Sequence, residues 1–312
     1  MTAIRPLQNP GTEPEQADGG RDPGGSPTRA ARAKPTGRFS LRQLPYLAVL
    51  LLASVVFIYP FVWAISASLK PRTEVFDNSL LPHAWRFANY SDVWSYAPVL
   101  RWIGNSVTVA LAAAVTVTLS SAMVAFGFAY FRFPLRNLLF GLVLATMMLP
   151  GAATMIPVYL IWHRLGLTGT QVPLWGQNLF GSAFYIFLLR QFFLGLPREF
   201  FEAARVDGCS FFGLFWRIAL PLSRPALIVV FVFEIQASWT DLLRPLIYLQ
   251  DPSLFTLPRG LKSVIDTFGN GGEQHWEIIM AASLIATAPL ILLFAFAQRH
   301  IMDGIASQGR KG

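Results

Sequence analysis

The sequence predicts an all-α polytopic membrane protein: six transmembrane helices, both termini in the cytoplasm, and a short helical region on the cytoplasmic surface between the fourth and fifth spans. Three observations carry that prediction. Hydrophobic residues fill 54% of 312 positions and charged ones only 13%, against roughly a quarter charged in a soluble chain. Charge-poor intervals recur, each near the ~20 residues that cross a ~30 Å hydrocarbon core at a rise of ~1.5 Å per residue. Lys and Arg collect on alternate connections between those intervals.

Residues 1–40 are rich in Pro, Gly, Ala and charge and show no apolar periodicity, so a disordered cytoplasmic tail is expected there. Residues 41–312 carry the membrane domain. Its first span fills the charge-free gap between Arg42 and Lys70, at about residues 44–67 ("LPYLAVLLLASVVFIYPFVWAISA"). The second, about 103–130, lies between Arg101 and Arg132, and the third, about 137–162, between Arg136 and His163. The fourth, about 174–196, has the weakest signal. Polar "TGTQ" and "GQN" lead into it, and Arg190 sits near its end. The fifth covers about 225–249 and the sixth about 278–298. Pro60, Pro150, Pro157, Pro245 and Pro289 fall inside these spans and are expected to kink them.

Orientation follows from the basic residues. With the N-terminus inside, 17 of the 25 Lys and Arg lie in the tail, at Arg132 and Arg136, between Arg190 and Arg224, and after Gln298. Cytoplasmic connections carry the excess, so both termini are placed there. The net charge of +8 is then matched to anionic membrane lipid, not to nucleic acid. The external pieces are longer than turns: residues 68–102 alternate Trp, Tyr and Phe with polar groups, which suits a helix at the interface. A second external segment, residues 250–277, has a Gly-rich tip. The single cysteine, Cys209, excludes an internal disulfide, and the four histidines lack metal-ligand spacing. No cofactor or metal is expected in this chain.

The most informative stretch is the cytoplasmic one, "EFFEAARVDGCSFFGLFWRIALPLSRP" (199–225). Glu199 to Val206 suits two helical turns with Phe200, Phe201 and Ala204 on an apolar side. Ala203 and Ala204 are small enough for another surface to approach closely. Asp207-Gly208 is turn chemistry, glycine being free to take positive φ. Ser210 can cap a second helix, which is expected to end before Pro221. From these properties alone the stretch is either a docking element or a connector that merely rejoins two spans.

The residue pattern separates the two. Glu202, Ala203, Ala204 and Gly208, then nine residues, then Ile218, Leu220 and Pro221 meet the spacing E-A-A-x-x-x-G…I-x-L-P without a gap. This resembles the EAA loop of the inner-membrane permease subunits of bacterial ABC importers, and Asp207 and Pro225 agree with the sugar-importer form. The likeness to MalG-type carbohydrate permeases runs over roughly residues 40–312. It includes "FYIFLLRQFFLGLPREFFEAARVDG", "WTDLLRPLIYL", "LFTLPRGL" and "MAASLIATAPLILLFAFAQRHIMDGI". Cys209 stands where alanine is usual and Thr240 where asparagine is.

The resemblance implies one of two non-identical permease subunits in the bacterial inner membrane. Two ATP-binding subunits dock beneath, using ATP and Mg, and an extracytoplasmic sugar-binding protein delivers a sugar, expected to be a di- or oligosaccharide. Residues 199–221 would form the coupling region. Glu202, Ala203, Ala204, Asp207, Gly208, Ile218, Leu220 and Pro221 would then receive the ATPase motion by helix-in-groove docking. The chain has no Gly-Lys pair and hence no G-x-x-x-x-G-K-[ST] phosphate loop, so it is expected to hydrolyse no ATP itself. A membrane enzyme would cluster acids and bases at one face, and a secondary transporter would usually repeat internally. Neither feature is visible.

Candidates for the translocation path are Glu234, Trp239 and Asp241 in the fifth span. Glu234 lies nine residues past Pro225, about 13 Å along a helix. An acid at that depth faces a cavity, a partner or a neighbouring helix. Arg244 can pair with Asp241, which leaves Glu234 with no evident partner in its own helix. It is either a structural group hydrogen-bonded to the second permease or an acceptor for solute hydroxyls.

Overall fold

The structure is a computed structural model describing residues 44–77, 79–268 and 275–308, and every regular element among them is helical. The tail expected to be disordered lies outside the described residues, as do residues 269–274 at the Gly-rich tip. The chain forms two units, residues 1–52 and 53–312. Of the first, only the opening turns of α1 (Leu44–Ser68) are described, and their Tyr46, Val49, Leu50, Leu51 and Leu52 side chains are exposed. In the second unit Val55, Phe57, Ile58 and Phe61 continue that exposed apolar surface. A helix satisfies its own backbone, so such a surface is at home in lipid.

After α1 the chain makes a polar knot and then α2 (Ala88–Tyr96), a helix within the aromatic-rich segment 68–102. Lys70 is fully buried in the knot. Its Nζ donates to Asp77 Oδ1 at 2.5 Å and to the Ser79 carbonyl at 2.6 Å. Asn89 clamps the neighbouring backbone, donating to the carbonyls of Ser68 and Lys70. These bonds hold the Asp77 carboxyl below the usual carboxylate range, the Lys70 ammonium first and the Ser79 hydroxyl next.

The axis of the second unit is α3 (Val99–Tyr130), 32 residues and so about 48 Å long. Ala110, Ala113, Ala114, Ala122 and Ala125 are buried along it, where the later helices α7 and α11 pack. Small residues let backbones approach, which is how helices associate where lipid removes the hydrophobic drive.

Beyond α3 the expected spans are broken. The third is two helices, α4 (Arg136–Thr146) and α5 (Gly151–Arg164), bent by 99°. Pro150 lacks the N–H a continuing helix needs and pushes Leu149 out of helical geometry. The fourth is α6 (Val172–Gly176), a 3₁₀ turn (Gln177–Phe180) and α7 (Ala183–Leu194), interrupted at Gly181 with φ +78°.

Then come α8 (Arg198–Val206), α9 (Phe211–Leu214), a π-turn (Phe215–Ala219) and α10 (Leu220–Leu222). The helix does not stop before Pro221, as expected, but turns by 80° at buried Ser223. The π-turn widens the ladder just before Pro221: the Leu220 N–H donates to the Phe215 carbonyl, five residues back. Pro225 sets the new start instead. The fifth span is α11 (Arg224–Thr240) and α12 (Leu243–Tyr248), parted at Asp241–Leu242. Pro245 cannot bond the Asp241 carbonyl, and Asp241 is extended (ψ 120°).

Last come α13 (Leu257–Phe268) and α14 (Trp276–Gln308). Among the described residues four helical stretches are long and apolar enough to cross a membrane, and up to six if the two bent pairs, α4 with α5 and 211–222 with α11, each count as one span. Two apolar clusters sit at the two ends of α3. Near Val99 they include Trp102, Leu249, Leu257 and Ile278, and near Tyr130 they include Phe126, Phe193, Phe201 and Phe215. At the Val99 end α3 holds residues 252–257: Trp102 Nε1 donates to the Pro252 carbonyl, Asn105 to those of Ser253 and Phe255, and Ser106 Oγ accepts from Leu257 N. Gly260 lies so close to the Trp102 indole that a Cβ would overlap the ring.

Candidate functional site

The EAA residues fold as two short helices and a closed turn. Pro197 precedes α8 in extended conformation (ψ 128°), which suits its fixed φ and leaves the helix to begin at Arg198. α8 ends in a Schellman turn. The Cys209 N–H donates to the Ala204 carbonyl at 2.9 Å and the Gly208 N–H to the Arg205 carbonyl at 3.1 Å, with Gly208 at φ +81°. That closure satisfies carbonyls the helix end would otherwise strand. Ser210 Oγ then accepts from Gly213 N at 3.1 Å, capping α9. Arg205 bridges the corner: Nη1 donates to the Cys209 carbonyl at 2.8 Å, and the guanidinium lies 4.2 Å from the Phe211 ring centre.

One side of this turn is anchored and the other is free. Phe201 is buried, with ring centres 5.5 Å from Tyr130 and 6.2 Å from Phe126, and Phe211 stands 5.2 Å from Phe131. Such aromatic pairs contribute about 0.5–1.5 kcal/mol each beyond area burial. Leu220 is buried, and Ala204 and Ile218 are half-buried. Glu202, Ala203, Asp207, Gly208 and Pro221 are exposed, and so is Val206, at 88%. Glu202 also lines a cavity of about 270 Å³ with Arg132 and Arg198, between the ends of α3 and α7. The turn is therefore a fixed knob with an apolar tip and acidic flanks.

The path candidates are placed differently from one another. Trp239 is buried, and its Nε1 donates to the Ala286 carbonyl of α14 at 3.2 Å. Asp241 pairs with Arg244, as the spacing suggests, and Arg244 Nη1 also reaches the Leu174 carbonyl at 3.3 Å. Glu234 is buried and does have a partner in its own helix: the Ser238 hydroxyl donates to Oε1 at 3.2 Å. A stronger bond comes from outside that helix, from Asn178 Nδ2 at 2.6 Å. Asn178 escaped notice as a partner, although the polar "GQN" flagged its position. The Lys70–Asp77 pair left no sequence signal at all, since an isolated loop lysine reads as solvated.

A helical domain with stretches long and apolar enough to cross a membrane, and a closed, exposed glycine turn, is the architecture these residues define. The chain belongs to the family of binding-protein-dependent transport system inner membrane components, which matches residues 118–306, and within it to the permeases of carbohydrate ABC importers. It is similar to the arabinooligosaccharides transport system permease protein AraQ of Bacillus subtilis strain 168. Identity is 32% over 284 residues, covering 88% of this chain and 98% of that relative. The diacetylchitobiose uptake system permease NgcG of Streptomyces coelicolor is 31% identical, with coverages of 84% and 86%. The sn-glycerol-3-phosphate transport system permease UgpE of Yersinia enterocolitica is 32% identical, with coverages of 82% and 93%. In fold, the chain matches a crystal structure of a bacterial ABC transporter that imports the acidic polysaccharide alginate. The TM-score is 0.74 at 22% identity, over 84% of this chain and 98% of that one. This chain is thus a multi-pass inner-membrane permease subunit, not itself catalytic.

Proposed function

We propose that this chain is one of two non-identical permease subunits of an ATP-driven importer for a di- or oligosaccharide, and that its Glu202–Pro221 region receives the motion of the ATPase. The observation that carries the reading is the Schellman-closed turn at Gly208, anchored on aromatic rings on one side and exposed on the other. A lever must not flex, and this one is braced. Two ATP-binding subunits supply ATP and Mg chemistry, and an extracytoplasmic binding protein supplies solute. Lipid surrounds the exposed faces. The fifth span, broken beside Trp239 and Asp241, forms part of the path wall, with Glu234 deeper along it. The relatives named for arabinooligosaccharides and diacetylchitobiose support an oligosaccharide, and the one named for sn-glycerol-3-phosphate defines the competing solute class.

Two variants test the lever. At Gly208 no atom crowds a Cβ, so Gly208→Val acts through the backbone alone, and left-handed geometry is costly for a β-branched residue. Uptake is expected to fall roughly five- to thirtyfold, as about 1–2 kcal/mol of strain loosens the knob, while the protein still inserts. Ala203→Trp adds bulk on the exposed face and is expected to block docking. Normal uptake in both would identify a tolerant connector. A panel of labelled sugars and glycerol phosphate, offered to the reconstituted complex with its binding protein, identifies the solute.

A further inference from the structure

The interruption of the fourth span at Gly181 leaves backbone groups that lipid cannot satisfy; α3 supplies their partners, and α11 holds the Asn178 side chain beside them. From α3, Ser120 Oγ donates to the Asn178 carbonyl at 2.9 Å, and Ser121 Oγ accepts the Ser182 N–H at 3.0 Å. Contact there is tight: a Cβ at position 181 would lie 3.3 Å from Ile186 Cδ1 and 3.4 Å from Ser121 Oγ. From α11, Glu234 Oε1 accepts from the Asn178 amide at 2.6 Å and from Ser238 at 3.2 Å.

Both of these partners of Glu234 offer a hydrogen: an amide and a hydroxyl. A carboxylate oxygen has lone pairs enough to accept from both at once. We propose that Glu234 is a positioning residue: through Asn178 it holds the break in the fourth span between α3 and α11, and so shapes the path wall without touching solute. The importer reading above underlies the functional half of this proposal; the clamp itself rests on the hydrogen bonds.

Swapping the chemistry across the bond tests it, with the chain assembled with its partner subunits in vesicles. Asn178→Asp sets two carboxylates at hydrogen-bond distance, and uptake is expected to fall roughly ten- to a hundredfold. Adding Glu234→Gln restores a donor–acceptor pair in the reverse sense. The amide introduced on α11 gives its hydrogens to the carboxylate introduced on the fourth span, and its oxygen accepts from Ser238. The double variant N178D/E234Q is therefore expected to recover to within about threefold of wild type, with the half-saturating solute concentration unchanged. Where N178D does not accumulate in the membrane, the amount of assembled complex is the readout, and the same rescue is expected. A double variant as poor as N178D in both readouts overturns the proposal. So does a fully assembled double variant whose solute affinity has shifted, because Glu234 would then be reading solute directly. A wild-type complex that moves none of the solutes speaks against the importer reading alone, since rescue of assembly is still measured.

Discussion

Cys209 and Gly213 occupy the corner between α8 and α9 as a matched pair. The Cys209 N–H closes the Schellman turn, and its sulfur stands where a Cβ at position 213 would come within 2.7 Å. The cysteine that departs from the usual alanine is thus accommodated by a glycine four residues on. Gly213→Ala is expected to overpack the corner by about 1–3 kcal/mol, lowering the thermal midpoint of the purified complex. Cys209→Ala in the same chain removes the sulfur and is expected to return most of that loss. Gly208, by contrast, has open space around it, so its constraint is torsional. Two glycines in one loop answer to different physics, and only Gly208 announces itself through the Asp-Gly turn signal. Gly213 could not be read, because its need arises from which way a neighbouring sulfur points.

Among the elements, the knot between α1 and α2 gives a pH dependence. Asp77 is held low by Lys70 and Ser79, so its contribution is present above the unfolded carboxylate value, about pH 4, and fades as pH falls through the lower folded value. Pepsin cleavage near exposed Leu80 and Leu81 is expected to be slower in wild type than in Asp77→Asn at about pH 4, and the two rates are expected to converge near pH 2. A difference that persists there would remove the ion pair as the cause. The spans themselves were readable, since charge-poor intervals and basic flanks are counted directly, and Pro150 and Pro245 marked two breaks as kinks. The interruption at Gly181 was not readable. Its backbone groups are satisfied by residues distant in the chain, Ser120 for Asn178 and Ser121 for Ser182, and composition carries no record of that pairing. The EAA turn was legible down to its Ser210 cap because its chemistry is local.

At the scale of the whole molecule, the distribution of Lys and Arg implies a direction through the membrane. With Cys209 replaced, a cysteine at Ser253 is expected to react with an impermeant thiol reagent added outside intact cells, and one at Ser307 is expected to stay protected until the membrane is opened. The reverse pattern would invert the orientation of every connection. Among the described elements, α3 reaches from the aromatic rings beside the EAA turn to the carbonyls of residues 252–255. Its 32 residues contain no proline, and no break interrupts them. A rod about 48 Å long multiplies small rotations. Tilting it by roughly 5° about the Tyr130 end carries the Val99 end through about 4 Å, more than one hydrogen-bond length. Residues 252–257, bonded to that end, would be carried with it, so an angular displacement too slight to disturb the packing of Phe201 on Tyr130 is felt as several ångströms at the opposite end of the rod.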